Sequence, residues 1–333
     1  MHYRYGLKPH GLIRQDGRKC LHVTTSTTAF SKLNTYLKRV PLSGKAKFNI
    51  LALNRKEALL MKAMTADPGK ILVSADISAG EPSLTAHFSK DPNFYDCVAG
   101  MVGKRPYYDG NGLRIDDIYL SVMSVSPIGQ SRMADIFQNG QNGVSFVDQW
   151  MLDKDVVCKK WLKRERDIHK ILALGLAYGL SSPKSMQEHG AKAGYKLTQA
   201  ECRAFKEAYW ERFKGVKRFS DQLIRKWTQD GHIVNPFGYR CLPDADYKVM
   251  NAFIQSSLSG LMKMLSMKFF EVCKEAEFIA VIHDEILMQV PEDRLEECRR
   301  MWDGAVDSLN HDLNWTVPIR TGFVTGKTFF DAK

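Results

Sequence analysis

A carboxylate stands directly after an apolar run in the segment SADISAGE, which begins at Ser74. The run before it, KILVSA, follows Asp67-Pro68-Gly69, and this order predicts a turn that leads into a buried strand. Magnesium prefers oxygen ligands and keeps several waters, so one or two rigidly held carboxylates beside phosphates suffice to bind it. Asp76 suits that use. The alternative is an ordinary turn or helix-capping aspartate.

A second acidic group lies between two apolar arms in the stretch FIAVIHDEILMQV, residues 278–290. Apolar arms around a polar centre predict a tight β-hairpin with the acids at its tip. Buried arms would hold the tip in place, so Asp284 could meet Asp76 across two metal ions about 4 Å apart. The alternative is an ordinary hairpin turn that contains an aspartate.

A basic helix is predicted over residues 159–180, which are rich in Lys, Leu, Ala and Arg and contain no proline. Four of its side chains are spaced four residues apart and share one slowly drifting face: Arg166, Lys170, Leu174 and Tyr178. The two cations could hold a triphosphate, and the tyrosine could present a flat surface to a base pair. The alternative is a solvated basic face that ends in a buried tyrosine.

The composition indicates a basic, folded chain. Among 333 residues, 48 Lys and Arg against 37 Asp and Glu give a net charge of +11, which favours phosphate-bearing partners. The seven cysteines are scattered and never paired as C-x-x-C, which disfavours a disulfide framework or a zinc site. We find no signal segment and no apolar run near the roughly 18 residues that cross a bilayer. A cytoplasmic protein without a membrane partner is therefore expected.

Helical patterns occupy most of the remaining chain. The segments Thr198–Trp227 and Lys248–Lys274 each predict a helix, and turn-forming residues lie between them at 235–240. The region 94–149 contains repeated Asn-Gly loop signals and predicts a loop-interrupted helical insertion. Together with the strand and the hairpin, these segments predict an α+β fold.

The three chemical segments follow one another in the order of the polymerase motifs of the family A DNA polymerases, the bacterial polymerase-I type. LVSADISAGEPSLTAH resembles the family's first motif, RDIHKILALGLAYG its finger-helix motif, and VIHDEILMQV its second acidic motif. GYRCLP and NAFIQSS are similar to the template and minor-groove segments, and TGFVTGKTFFDAK resembles the family's C-terminus. The resemblance spans nearly the whole chain.

This resemblance implies a right-hand polymerase architecture, with an antiparallel palm sheet and a helical fingers subdomain but without its own thumb or 3′–5′ exonuclease domain. Residues 1–93 and 235–333 would form the palm, and 94–234 the fingers, including a loop-rich insertion around 97–150. The implied activity is template-directed addition of deoxynucleotides to a primer 3′-hydroxyl with release of pyrophosphate. We expect a separate polypeptide to supply the thumb or exonuclease, as in a split phage-type polymerase.

The resemblance also implies roles at the acidic segments. Asp76 and Asp284 match the two metal-binding aspartates, and the main-chain carbonyl of Ile77 would be a further ligand of two Mg²⁺ ions. Glu285 and His283 match residues beside the primer end, where Glu285 would belong to the catalytic group.

Nucleotide binding is implied for the basic helix. Arg166 and Lys170 match the triphosphate-binding pair, and Lys170 could protonate the departing pyrophosphate. Tyr178 matches the tyrosine of the insertion site, and Glu81 the glutamate whose bulk excludes a ribose 2′-hydroxyl. Leu174 stands where the family usually has Phe or Tyr, so we expect altered sugar discrimination.

Contacts with primer-template DNA are implied for three further residues. Asn251 and Gln255 match residues that follow the duplex minor groove, where acceptors are common to every base pair. Arg240 lies in the segment that resembles the template-contacting motif. Ile77 stands where a tyrosine is usual, which again bears on sugar discrimination.

Two rival functions remain open at this stage. A single-subunit RNA polymerase shares the Lys-to-Tyr-Gly helix and the His-Asp tip, although Glu81 and Glu285 suit the DNA enzymes better. A catalytically silent DNA-binding accessory subunit could also keep these motifs, although retention of both aspartates and of Lys170 argues against it. Magnesium-dependent extension with ribo- and deoxyribonucleotides separates the three.

Overall fold

The fold is taken from a computed structural model, which describes residues 61–103, 117–131, 163–177, 179–180 and 182–333. This part of the chain combines helices with antiparallel sheet, so the predicted α+β class is confirmed. It divides into two compact units. The first contains residues 61–81, 235–239 and 255–333, and the second contains the described residues of 82–234 and 240–254. The predicted palm and fingers boundaries stay predictions.

The described elements run in the following order along the chain. They are β1 (Lys70–Asp76), α1 (Gly80–Ser89), α2 (Pro92–Gly103), α3 (Ile118–Met123), α4 (Lys163–Ala177), α5 (Pro183–Lys192), α6 (Gln199–Arg212), α7 (Lys214–Asp230), β2 (Ile233–Val234), β3 (Arg240–Cys241), α8 (Val249–Val272), β4 (Glu277–Ile282), β5 (Glu285–Pro291), α9 (Leu295–Leu313) and β6 (Val324–Gly326). None of the described helices combines the length and apolar character that a bilayer crossing requires.

The first unit is built on a four-stranded sheet with the order β4-β5-β1-β6. All its pairings are antiparallel, and β1 pairs with β5 from Lys70 opposite Pro291 to Asp76 opposite Glu285. The predicted strand and the predicted hairpin are therefore confirmed. The strand reaches one residue further than expected, to Asp76, and the hairpin begins one residue earlier, at Glu277.

Both faces of the central strands are covered by apolar side chains. Successive residues of a strand point to opposite faces. Val73 and Met288 are fully buried on one face, and Leu287 packs on the other in a cluster with Phe329. Burial on both faces explains why β5 is an almost continuous apolar run rather than an alternating one.

The helix α9 fixes the segment that flanks the end of β1. Its Trp302 is fully buried, meets the Phe269 ring edge-on at 5.1 Å, and donates from Nε1 to Thr321 Oγ1 at 2.7 Å. Thr321 in turn lies opposite Ile77 in an isolated antiparallel bridge. The chain just beyond Asp76 is therefore held on this side by a rigid neighbour.

A buried aspartate organises part of the second unit. Asp91 is 2% exposed and accepts from the main-chain N–H of Phe94 at 2.9 Å, which caps the start of α2. Its other carboxylate oxygen accepts from the Gly215 N–H at 2.6 Å, at the start of α7. One carboxylate thus accepts a hydrogen bond from a first-turn N–H group of each of two helices. Such N–H groups have no partner inside their own helix.

The single helix predicted over 198–227 is wrong in its continuity. The structure has α6 and α7, which are interrupted at Phe213, where the backbone leaves the helical region with φ −117° and ψ 59°. The Phe213 ring is fully buried and packs edge-on against Phe94 and Tyr209. Because the apolar spacing continues across this residue, the pattern alone did not reveal the break.

The predicted basic helix is observed as α4, which begins at Lys163 and ends at Ala177; residues 159–162 and 178 lie outside the described part. The Leu180 N–H donates to the Gly175 carbonyl at 2.8 Å, and the Gly179 N–H to that of Leu176 at 3.1 Å. Gly179 has φ 91°, and a Cβ there would collide with Tyr247. This helix end therefore requires glycine for both conformation and space. Of the predicted insertion, the structure describes residues 94–103 and 117–131, and most of them are helical.

Candidate active site

The end of β1 and the tip of the β4–β5 hairpin lie side by side in the first unit. Asp76 is the last residue of β1, and the next N–H, that of Ile77, donates to the Asp284 carbonyl at 2.9 Å. Asp284 and His283 form the two-residue connection between the strands, with His283 in the left-handed region at φ 59°. The structure thus brings the two predicted metal-binding aspartates to neighbouring positions.

Both aspartates have a raised pKa. Burial, and then the charges of Asp284 and Glu285, raise the pKa of Asp76 to about 6, while Lys333 acts in the opposite direction. Burial also raises the pKa of Asp284. Asp76 is nevertheless exposed, so solvent and ions can reach it. Both groups are therefore carboxylates that gain from a nearby positive charge.

The third acid, Glu285, is bound by two side chains of the protein. It is buried, and its two oxygens accept from Ser74 Oγ at 2.7 Å and from Lys333 Nζ at 2.6 Å. Neither contact could be predicted from the sequence, because each joins residues that are far apart in the chain. His283 is exposed at the hairpin tip.

These groups fit a divalent cation through the chemistry of their donors. Both aspartates offer hard carboxylate oxygens whose mutual repulsion a cation would relieve. An antiparallel residue directs its N–H and C=O to the same side, so the Ile77 carbonyl faces the Asp284 side of β1. Within the described residues, no group of three His, Cys, Asp or Glu side chains is arranged to ligate an ion. Two carboxylates with a carbonyl and retained waters would be a set that suits Mg²⁺.

Glu81 and Gln255, which were predicted separately to contact sugar and duplex, meet in one hydrogen bond. The Gln255 Nε2 donates to Glu81 Oε1, and Gln255 is 8% exposed. The start of α1 lies close to α8 because residue 80 is a glycine, where a Cβ would crowd Leu258. The Glu81 carboxylate is therefore held in place by a buried amide.

In the second unit, the predicted triphosphate pair lies around one aromatic ring. Arg166 and Lys170 stand 5.1 and 6.0 Å from the centroid of the Tyr119 ring, in cation–π geometry. Asp117 caps α3 and also pairs with the Arg166 guanidinium, which donates from Nε at 3.2 Å and from Nη2. The only sequence signal for Asp117 was an aspartate directly before an apolar run. The Lys170 side chain is exposed.

A buried histidine anchors α4 behind these cations. His169 is fully buried, and its Nδ1 donates to the Glu165 carbonyl at 2.7 Å, so its Nε2 accepts from Ser126 Oγ at 2.6 Å. Burial lowers the pKa of His169 to about 4, which keeps the ring neutral. The contact is a structural link between α4 and the segment after α3.

The remaining predicted residues are placed as follows. Leu174 is half-buried on α4, Asn251 is half-buried in the first turn of α8, and Arg240 is exposed on β3. Arg240 Nη2 lies 3.4 Å from His232 Nδ1. Tyr178 lies outside the described residues.

The known proteins to which this chain is similar are DNA polymerases. The family model described as DNA polymerase family A matches residues 119–331. This span includes Asp284, whereas Asp76 precedes it. Among curated proteins, the thermostable DNA polymerase I of Thermus filiformis is 24% identical over 290 residues, which covers 82% of this chain and 29% of that protein. DNA polymerase I of Geobacillus stearothermophilus is 26% identical over 180 residues, covering 49% of this chain and 20% of that protein.

A solved structure shares the fold. The POL domain of Pol1 from M. smegmatis, in complex with DNA primer-template and dNTP, aligns with a TM-score of 0.59 and 19% identity. The alignment covers 97% of this chain and 50% of that one. The chain therefore spans less than a third of the two curated relatives and half of the solved domain.

Proposed function

The chain belongs to DNA polymerase family A, and from this premise we propose that it performs template-directed DNA synthesis. The reaction adds deoxynucleotides to a primer 3′-hydroxyl and releases pyrophosphate. The observation that carries the proposal is the adjacency of Asp76 and Asp284, joined by the hydrogen bond from the Ile77 N–H to the Asp284 carbonyl. In this proposal residues 1–93 and 235–333 form the palm and residues 94–234 the fingers.

The acidic group would hold two Mg²⁺ ions through Asp76, Asp284 and the Ile77 carbonyl. When bound, the ions supply Lewis acidity to the primer 3′-hydroxyl and to the leaving group. The chain's own contribution is position. Asp76 ends a strand that is paired on both sides, and Asp284 is fixed by a two-residue turn, so both carboxylates are held before substrate arrives.

The nucleotide would be held by the cations of α4. Arg166 and Lys170 attract the triphosphate through charge-assisted hydrogen bonds. The exposed ammonium of Lys170 can donate a proton from Nζ to the departing pyrophosphate. Glu81, fixed by Gln255, would exclude a 2′-hydroxyl by its bulk, since a buried amide restrains the carboxylate.

The insertion site and the DNA would be met by the remaining residues. Tyr178 and Leu174 would lie beside the incoming base and sugar. His283, Arg240 and Asn251 would contact primer-template DNA, and Gln255 would share that role.

Primer extension tests the proposal. We expect Asp284→Ala to lower the rate of nucleotide addition by about a thousandfold while the chain stays folded. Asp303→Ala, which removes an exposed acid of α9, is the matched control and should extend normally. A near-normal rate in Asp284→Ala would refute the assignment. Equal use of ribonucleotides would favour the RNA polymerase alternative, and absence of magnesium-dependent extension the silent DNA-binding alternative.

A separate polypeptide that supplies a thumb or an exonuclease stays a prediction. Copurification of the chain from its natural host, followed by identification of the bound proteins, would test it.

A further inference from the structure

Glu285 is a buried carboxylate held between two donors beside the aspartate pair. Its side chain is 6% exposed, with Ser74 Oγ on Oε1 at 2.7 Å and Lys333 Nζ on Oε2 at 2.6 Å. It follows Asp284 in sequence and lies directly opposite Asp76 in the strand register. Both of its oxygens are therefore engaged within the protein, although the residue stands next to both proposed metal ligands.

The position of Lys333 is set by packing rather than by the ion pair alone. Phe329 and Ala332 are buried in the same cluster as Leu287, on the face of the sheet that also carries Glu285. Gly326 allows residues 331 and 332 to approach β6, because a Cβ at position 326 would collide with the Ala332 backbone. The ammonium also lies 5.1 Å from the centroid of the Phe329 ring. The packing of these neighbouring residues therefore places the Lys333 ammonium beside Glu285.

Loss of that cation would change what Glu285 does. Like charges opposite each other in an antiparallel pair repel, and Asp76 and Glu285 are such a pair. A buried carboxylate that loses its partner is strongly unfavourable and gains from any other available cation. A divalent ion at Asp76 and Asp284 would be the nearest candidate. A third carboxylate there would add affinity but displace waters that Mg²⁺ normally keeps in its octahedral shell.

We propose that Lys333 is a positioning residue, which holds the Glu285 carboxylate on Ser74 and away from the divalent cations of Asp76 and Asp284. The inference rests on the proposed function for the identity of the metal site. It assigns Lys333 no contact with substrate. Its effect is to limit the protein carboxylates on the metal ions to the two aspartates. Metal binding is then weaker than with three carboxylates, but the ions keep the waters of their octahedral shell.

The test compares Lys333→Met, which keeps the length but removes the charge, with Lys333→Arg, which keeps the charge. Mn²⁺ binding is measured by electron paramagnetic resonance without DNA, and kcat and KM by primer extension. We expect Lys333→Met to bind Mn²⁺ about fivefold more tightly and to lose about tenfold in kcat. Lys333→Arg should keep the wild-type affinity. A merely structural role would not tighten metal binding.

A second comparison separates the release of Glu285 from the direct effect of removing the Lys333 charge. In a Glu285→Gln background, Lys333→Met should tighten Mn²⁺ binding much less than it does in the wild type, because no carboxylate is there to be released and only the direct effect of the lost charge on Asp76 and Asp284 remains. An undiminished increase in that background would overturn the proposal, as would wild-type affinity in a folded Lys333→Met variant. If Lys333→Met does not fold, Ser74→Ala, which frees the other oxygen of Glu285, must tighten Mn²⁺ binding in its place. The Mn²⁺ measurement does not need DNA synthesis, so failed extension by the wild type would refute the proposed function separately.

Discussion

Replacing Asp76 by asparagine should stabilise the metal-free protein while it removes activity. Burial, and then the charges of Asp284 and Glu285, raise the pKa of Asp76 from 3.8 to about 6. Ionising Asp76 therefore costs folding free energy, because the folded protein binds this proton more tightly than the unfolded chain. The cost is absent below about pH 4, grows between about pH 4 and 6, and is complete above that range. Asparagine cannot ionise and escapes it.

The size of the effect follows from the shift. About two pKa units correspond to about 3 kcal/mol at roughly 1.36 kcal/mol per unit. Because the Asp76 side chain is exposed, solvent screens the charges, and we expect about 1 kcal/mol to remain. In a chain of this size that free energy raises the melting temperature by about 2 °C.

Thermal unfolding in EDTA, at about pH 8 and about pH 4, measures this difference. Asp76→Asn should melt higher than the wild type at the upper pH and equally at the lower one. Asp303→Asn, which changes an exposed acid of α9, is the matched control and should show no such dependence. A lower or unchanged melting temperature for Asp76→Asn at pH 8 would refute the reasoning, since it would mean that ionising Asp76 costs no folding free energy.

Two further predictions concern stability in the second unit. Asp91→Ala removes a helix cap and leaves the Gly215 N–H without its partner, so the free energy of unfolding, measured in urea, should fall by about 3 kcal/mol; a loss below about 1 kcal/mol would contradict this role. Gly179→Ala should destabilise more than Gly194→Ala in the same measurement, because both glycines have positive φ but only residue 179 would also collide with Tyr247. Equal losses of unfolding free energy would mean that the close contact between residue 179 and Tyr247 does not affect stability.

The apolar patterns of the sequence predicted the strand β1 and the β4–β5 hairpin. The apolar run before Asp76 and the two apolar arms around Asp284 became paired strands, because burial on one or both faces specifies both the strand and its register. The break at Phe213 was missed, because the helical spacing continues through it and a tertiary pocket for the ring decides the local backbone. Such a pocket has no signature in a single sequence.

The sequence patterns singled out the candidate acidic and basic residues but not the side chains that bind them. Lys333 is 48 residues from Glu285, and Asp117 is 49 residues from Arg166, so neither contact follows from spacing along one element. Both depend on the packing of whole elements, which places a cation beside a buried carboxylate or an acid beside a guanidinium. The residues that hold a site in position are therefore harder to predict than those that act in it.

The most direct test is a crystal structure of the chain with primer-template DNA, an unreactive deoxynucleotide and Mn²⁺, with the ion located by its anomalous signal. We expect an ion that is coordinated by carboxylate oxygens of both Asp76 and Asp284, with Glu285 still bound to Ser74 and Lys333. An ion bound by only one of the two aspartates, or located elsewhere, would contradict the claim that they form one metal site.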